Sequence, residues 1–306
     1  MVAGVSEMFE SLIGLLLTIQ GVAATVGLIA LMAQFGIQLT PGDVLRTTRE
    51  YNLVLRWVLA NLLFVPLAAA LFGIVFQLPQ PLAITLVLVA VAPGAPFIPL
   101  LVGMAGQDSH EAVRLTAALT FVAVATVPLF VAVLLFILGV ESDFSPRRLL
   151  VPLSVVLLAP MIAGIAVRTR RPALADRLAR PIAALANLAL AIALSIIALL
   201  GLPRIVEVFA VLFGTGAILL LTLFVFVSIG IGWLLGGPTP QSRRVLALGT
   251  AGRNVNIALF VATGAFPASG VDGGIIAFTV LMFVVSILVA RYWRRTPPSD
   301  GAETHS

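Results

Sequence analysis

The chain has no cysteine and no lysine among its 306 residues, and only two histidines, His110 and His305. Without cysteine there is no disulfide, no thiol nucleophile and no thiolate metal site. Two histidines, one in an expected loop and one in the tail, argue against a His-built metal cage. Charge is scarce too: 10% of residues are charged, against 60% hydrophobic. A soluble domain of this size needs far more charge to cover its surface. The first residues, MVAGVSEMFE, lack the basic start of a secretory signal, so the first apolar helix is expected to be retained.

What is present is hydrophobicity in long runs. Mean hydropathy is +1.15, and the runs are long enough for a ~30 Å hydrocarbon core, which takes about 20 residues per helix. The pattern predicts an all-α membrane protein of nine spans, at about 11–35, 53–76, 81–103, 113–139, 149–167, 181–202, 209–236, 244–265 and 271–290. Breakers separate them: Thr40-Pro41-Gly42, Leu78-Pro79-Gln80-Pro81, Gly236-Gly237-Pro238 and Pro267-Ala268-Ser269-Gly270. Residues 202–207 are the least regular stretch and fit a short interfacial segment before the seventh span.

The formal net charge of +5 does not point to nucleic acid, because the arginines lie in short gaps between apolar runs instead of on one exposed face. They act as topology signals. With nine spans, the side facing the N-terminus holds Arg147, Arg148 and Arg204, while fourteen arginines lie on the other side. Basic loops stay cytoplasmic. The expected orientation is therefore N-terminus outside and C-terminus inside, in a bacterial inner membrane.

The eighteenth arginine, Arg253, lies ten residues beyond Arg243 inside the eighth run, or ~15 Å deeper at the helical rise. Such a charge costs at least ~2.5–3.5 kcal/mol. All 13 acidic residues fall in loops, tails or span ends, so neutralisation must come from carbonyls, polar side chains or an anionic ligand. Around it, Leu248-Gly249-Thr250-Ala251-Gly252-Arg253-Asn254-Val255-Asn256 is a poor continuous helix, because each Gly costs about 1 kcal/mol against Ala. The third span has a matching break at Ala92-Pro93-Gly94-Ala95-Pro96-Phe97-Ile98-Pro99, where prolines delete backbone donors. Two interrupted spans, one per half of the chain, point to a transporter built from inverted repeats, with its site at the bilayer midplane.

Phe35-Gly36-Ile37-Gln38-Leu39-Thr40-Pro41-Gly42-Asp43, Ala92-Pro93-Gly94 and Gly252-Arg253-Asn254, in that order, resemble the bile acid:sodium symporter family over most of the chain. The resemblance implies two inverted repeats, here with the first helix missing: residues 1–140 with four helices, residues 141–295 with five, and a polar tail at 296–306. Spans three and eight would cross. Spans two, three, four, seven, eight and nine would form a core, and spans one, five and six a panel. The substrate implied is a small, amphipathic organic anion held in the crevice between them. The family's sodium ligands match Asn61, Thr116 and Thr120, so Na⁺ is a candidate coupling ion there. Elsewhere the pattern departs. The family's Ser-Asn pair is Ile98-Pro99, its Glu aligns with Gly249, and its Gln aligns with Arg253. That shifts the local charge about two units toward positive, which disfavours Na⁺.

Arg253 keeps three readings: a tethered cation in the place of Na⁺, a bidentate partner for a substrate carboxylate or sulfate, or a structural tie for helix-end carbonyls. Candidate binding residues are Asn61, Pro93, Gly94, Pro96, Pro99, Thr116, Thr120, Gly249, Thr250, Gly252, Arg253, Asn254 and Asn256. No Ser/His/Asp set, buried carboxylate pair or metal cluster suggests an enzyme, no cofactor is implied, and the few polar residues do not make a channel. The expected function is a secondary transporter of a small organic anion. The alternative is a membrane sensor of the same fold that binds without transporting.

Overall fold

The computed structural model describes residues 2–40, 42–43, 46, 50–139, 146–214, 216–266 and 271–296. Every regular element among these described residues is helical. The helices are α1 (Val2–Gln38), α2 (Tyr51–Val75, with a π turn at Ala60–Phe64), α3 (Gln80–Ala90), α4 (Ile98–Met104) and α5 (Ser109–Ile137). Then come α6 (Pro146–Leu153, a π turn at Ser154–Leu158, and Ala159–Arg170), α7 (Pro172–Gly214) and α8 (Ala217–Leu235). The chain closes with α9 (Pro240–Ala251), α10 (Val255–Ala265) and α11 (Val271–Arg295).

By length and apolarity, six stretches among the described residues suit a bilayer crossing, or seven if the two halves of α5 count as one span. Those halves, Ser109–Ala123 and Thr126–Ile137, meet at 63°, just before Pro128, whose ring cannot fit a straight preceding turn. The expected nine is not reached on these criteria. The third expected span, for one, is divided into α3 and α4, neither long enough to cross. Large apolar side chains lie on the outside, with Phe136 85% and Leu234 80% exposed. Exposure on that scale is a lipid-facing surface: the chain is an integral membrane protein.

The boundary between the sixth and seventh spans falls elsewhere than expected. No interruption occurs at 202–207; α7 runs through it for 43 residues to Gly214. Pro203 lies within α7, as membrane helices tolerate when neighbours re-satisfy the freed carbonyl. The turn is made instead at Gly216, whose φ of +72° is cheap only for glycine. The expected breaker at 267–270, and the tail beyond 296, lie outside the described residues.

Helices α1, α6 and α7 pack on one another, and small residues set how closely. A Cβ on Gly164 of α6 would stand 2.8 Å from Ile37 N and 2.9 Å from Gly36 Cα. The backbones of α1 and α6 therefore touch at this pair, as small residues permit in membranes. Beside it Arg168 donates Nε to Ile37 O at 2.6 Å, closing a carbonyl at the end of α1, and Nη1 to Asp176 at 2.7 Å. Residues of α2, α3, α5, α8 and α11 share one continuous apolar interior, which reaches into α1, α6 and α7 through Met32, Met161 and Ala186.

A polar cluster ties the α1–α2 connection to the start of α5. Asp43 accepts from Thr40 N (2.8 Å) and Thr40 Oγ1 (2.6 Å), and pairs with His110 Nε2 at 2.9 Å. Glu50, just before α2, joins Arg46 at 2.7 Å to Arg114 at 2.6 Å. Burial pushes the Asp43 carboxyl up, but the hydrogen bonds from Thr40 and His110 outweigh it and hold the group below its ordinary value. A carboxyl depressed on folding stabilises above its unfolded pKa, and that contribution is lost as pH falls through the folded value. Asp43→Asn should therefore lower the thermal midpoint at neutral pH. The gap to wild type should close only below the usual carboxyl range, as a pH series of melting curves would show.

Gly164→Val should force α1 and α6 apart, with a loss of roughly 1–3 kcal/mol as for other overpacked contacts. Unfolding in mixed micelles measures it. A stability equal to wild type would mean that the two backbones do not meet there.

Candidate functional site

The site begins with what prolines withhold. In α2 the π turn makes Val65 N–H bond to Ala60 O, five residues back. The next donor in that register would be Pro66, which has no N–H, so Asn61 O is left over. The same logic governs residues 91–97 between α3 and α4. Pro93 and Pro96 have no N–H for the carbonyls three and four residues behind them, Ala90 and Ala92 among these. A carbonyl left without a donor at this depth has no water to turn to.

Residues 252–254, between α9 and α10, supply the missing donors. Asn254 N–H bonds Ala92 O at 2.7 Å, and Asn254 Nδ2 bonds Gly94 O at 3.3 Å. Its Oδ1 accepts from Ile257 N at 3.3 Å and so caps α10. Arg253 Nη1 bonds Ala90 O at 3.1 Å and makes a longer contact to Asn61 O at 3.5 Å. Arg253 N–H points at Met282 Sδ of α11, 3.2 Å away. The two breaks thus touch through backbone groups, with Arg253 fully buried between them.

Close approach depends on glycine here. Gly94 has φ +79°, and a Cβ there would lie 2.8 Å from Thr120 Oγ1. A Cβ on Gly252 would lie 2.6 Å from Ile98 Cγ1, and one on Gly249 would collide with the Trp57 ring.

The expected site residues divide accordingly. Pro93, Gly94, Pro96, Gly252, Arg253 and Asn254 form the crossing itself, and Asn61 stands beside it on α2. The unwound stretches are shorter than expected. Gly249 and Thr250 are helical, in α9, because Gly249 gives room to Trp57 and Thr250 Oγ1 bonds its own turn at Leu246 O, 2.7 Å. Pro99 lies in the first turn of α4, where no N–H is needed, and Asn256 lies half-buried in the first turn of α10. Thr116 and Thr120 are fully buried on α5. Thr120 Oγ1 donates to Thr116 O at 2.9 Å, as membrane hydroxyls commonly do.

Sequence reasoning missed Trp57, Met282 and Ser286. Trp57 is the partner of Gly249 and takes Asn61 Nδ2 on its carbonyl at 3.0 Å. Met282 receives the Arg253 N–H, and Ser286 follows one turn later on α11, fully buried. The hydroxyl of Ser286, shared in the apolar run of α11 only with Thr279, was the one available signal.

Several polar atoms here are buried without a hydrogen-bond partner: Asn61 Oδ1, Thr116 Oγ1, Trp57 Nε1, Ser286 Oγ, and Nε and Nη2 of Arg253. Among the described residues no carboxylate pairs with Arg253; the ion pairs are Arg46–Glu50, His110–Asp43, Arg114–Glu50 and Arg168–Asp176.

The model of the sodium bile acid symporter family matches residues 25–209. The chain belongs to this family. Its members are transporters and not enzymes, so the protein is a membrane transporter of the bile acid symporter type. The matched region includes α2, the α3–α4 break and α5, and ends before Arg253. No curated protein matches the chain in a sequence search.

Asn254→Ala removes the Gly94 tie and the α10 cap together. It should cost about 1–2 kcal/mol, the usual loss for a cap, read from unfolding in mixed micelles. Gly94→Ala should cost more, because it meets both the positive φ and Thr120; an unchanged midpoint would contradict the geometry.

Proposed function

We propose that the protein is a secondary carrier for a small organic anion, that it works by alternating access, and that Na⁺ is not required. The observation that carries this reading is Arg253: fully buried where the two broken segments touch, with no acidic partner among the described residues. A fixed positive charge in a low-dielectric interior favours anions and repels cations.

The sodium question turns on the same group. Asn61 Oδ1 and Thr116 Oγ1 are buried oxygens without hydrogen-bond partners and would serve Na⁺ as ligands. The guanidinium, however, already holds Ala90 O and approaches Asn61 O, carbonyls that a cation would also seek. A second positive charge beside it is unfavourable. Arg253 in this reading does part of what a bound cation would do, joining the carbonyls of α2 and α3 to the α9–α10 break.

Alternating access would rock α1, α6 and α7, as a panel, against a core of α2–α5 and α8–α11, in a chain of two inverted repeats. The mutual packing of α1, α6 and α7, apart from the crossing, supports that division. The termini would lie on opposite sides, with the arginine-rich loops cytoplasmic.

The test is uptake of labelled organic acids into proteoliposomes, with an inward Na⁺ gradient and with K⁺ replacing Na⁺. Equal uptake is expected. Strict Na⁺ dependence would overturn the ion-free reading and return the ion to Asn61, Thr116 and Thr120. Saturable binding without uptake would favour a sensor over a carrier.

A further inference from the structure

The corner where α6 turns into α7 carries arginines that the fold does not use. Arg171 alone separates Arg170, the last residue of α6, from Pro172, the first of α7. Arg168 is engaged twice, with Ile37 O and with Asp176, and Asp176 is the one acidic residue between 168 and 180. Arg170, Arg171, Arg177 and Arg180 lie beside that pair in the chain, all of them exposed. Among the described residues no carboxylate pairs with any of the four. Arg177 and Arg180, at helical spacing i, i+3 on α7, share one face.

Position along α7 matters as much as charge. The apolar run of this helix begins at Pro181, directly after Arg180, and its outer face is lipid-facing, with Leu185 48% and Leu188 61% exposed. Residues 172–180 therefore carry α7 beyond the hydrocarbon by ~13 Å at the helical rise. A headgroup layer is about 5–8 Å deep. Arg180 and Arg177 thus stand at the level of the lipid phosphates, and Arg170 and Arg171 at the outer edge of that layer. Topology alone asks only for basic residues in the loop. It does not require four guanidiniums left without partners in the folded protein.

We propose that the α6–α7 corner is a docking surface for anionic phospholipid, with headgroup phosphates seated on Arg170, Arg171, Arg177 and Arg180. A guanidinium fork matches phosphate oxygens two at a time. Each basic residue at a membrane surface strengthens the attraction to anionic lipid about fivefold. A zwitterionic headgroup also has a phosphate, but its ammonium cancels the charge, so the partner is the lipid with net negative charge. The surface is independent of what the protein carries, since neither α6 nor α7 contributes a residue to the crossing.

The experiment offers the purified full-length chain, in mixed micelles, equal amounts of phosphatidylglycerol and phosphatidylcholine with identical acyl chains. Native mass spectrometry counts the lipids that stay bound. Wild type should retain phosphatidylglycerol over phosphatidylcholine by at least about tenfold, and high salt should weaken that preference. Arg177→Gln with Arg180→Gln, and separately Arg170→Gln with Arg171→Gln, should each lower the preference at least about fivefold. Arg291→Gln with Arg294→Gln and Arg295→Gln, at the end of α11, should leave it nearly unchanged. Asp176→Asn removes the one negative charge from the corner and should raise the preference. Asp176 is 69% exposed, so this variant folds and decides the matter if the glutamine variants do not. The proposal is overturned if wild type shows no preference, if Asp176→Asn matches wild type, or if both corner variants keep the wild-type ratio. It is equally overturned if the α11 variant loses the preference as the corner variants do. Inorganic phosphate that displaces phosphatidylglycerol at equal concentration would assign the arginines to a free anion and overturn the lipid surface.

Discussion

A backbone carbonyl in the middle of a bilayer needs a donor from the protein itself, and prolines remove donors. Pro66, Pro93 and Pro96 leave carbonyls on α2 and between α3 and α4 with nothing in their own segments to bond. The α9–α10 break answers them with the N–H of Asn254 and the guanidinium of Arg253, and the Asn254 amide adds a bond to Gly94 O. Neither break is tolerable alone. Each is stable because the other supplies complementary backbone and side-chain groups, which makes the crossing a single cooperative unit.

Glycine makes that unit possible. The donors reach the carbonyls only if the segments come within van der Waals distance, and Gly94, Gly249 and Gly252 leave the room for Thr120, Trp57 and Ile98. The same device recurs where α1 meets α6 at Gly36 and Gly164. Lipid tails are as apolar as leucine, so helices in a membrane gain by close contact and hydrogen bonding more than by hiding apolar surface. The placement of small residues consequently carries much of the architecture.

The burial of Arg253 belongs to the same arrangement. An isolated guanidinium at that depth costs several kcal/mol, and two carbonyls on Nη1 compensate only part of the group. The unpartnered edge is the structural residue of that imbalance.

Membrane class, the two interruptions and the buried arginine were legible in the sequence. Each is a local property: apolar runs set the solvent, prolines and glycines act on their own turn, and no acidic residue stands near Arg253 in the chain. Where local signals were weak the expectations slipped. The break at 202–207 is absent because a proline within a membrane helix can be absorbed, and the unwound stretches shrank because Thr250 satisfies itself and Gly249 serves packing. Which carbonyls Arg253 bonds, which edge it leaves over, and the parts of Trp57, Met282 and Ser286 were decided by the tertiary structure alone. Those partners lie up to 192 residues away along the chain. Only packing brings them within reach, and no periodicity or composition encodes a hydrogen bond between segments so distant.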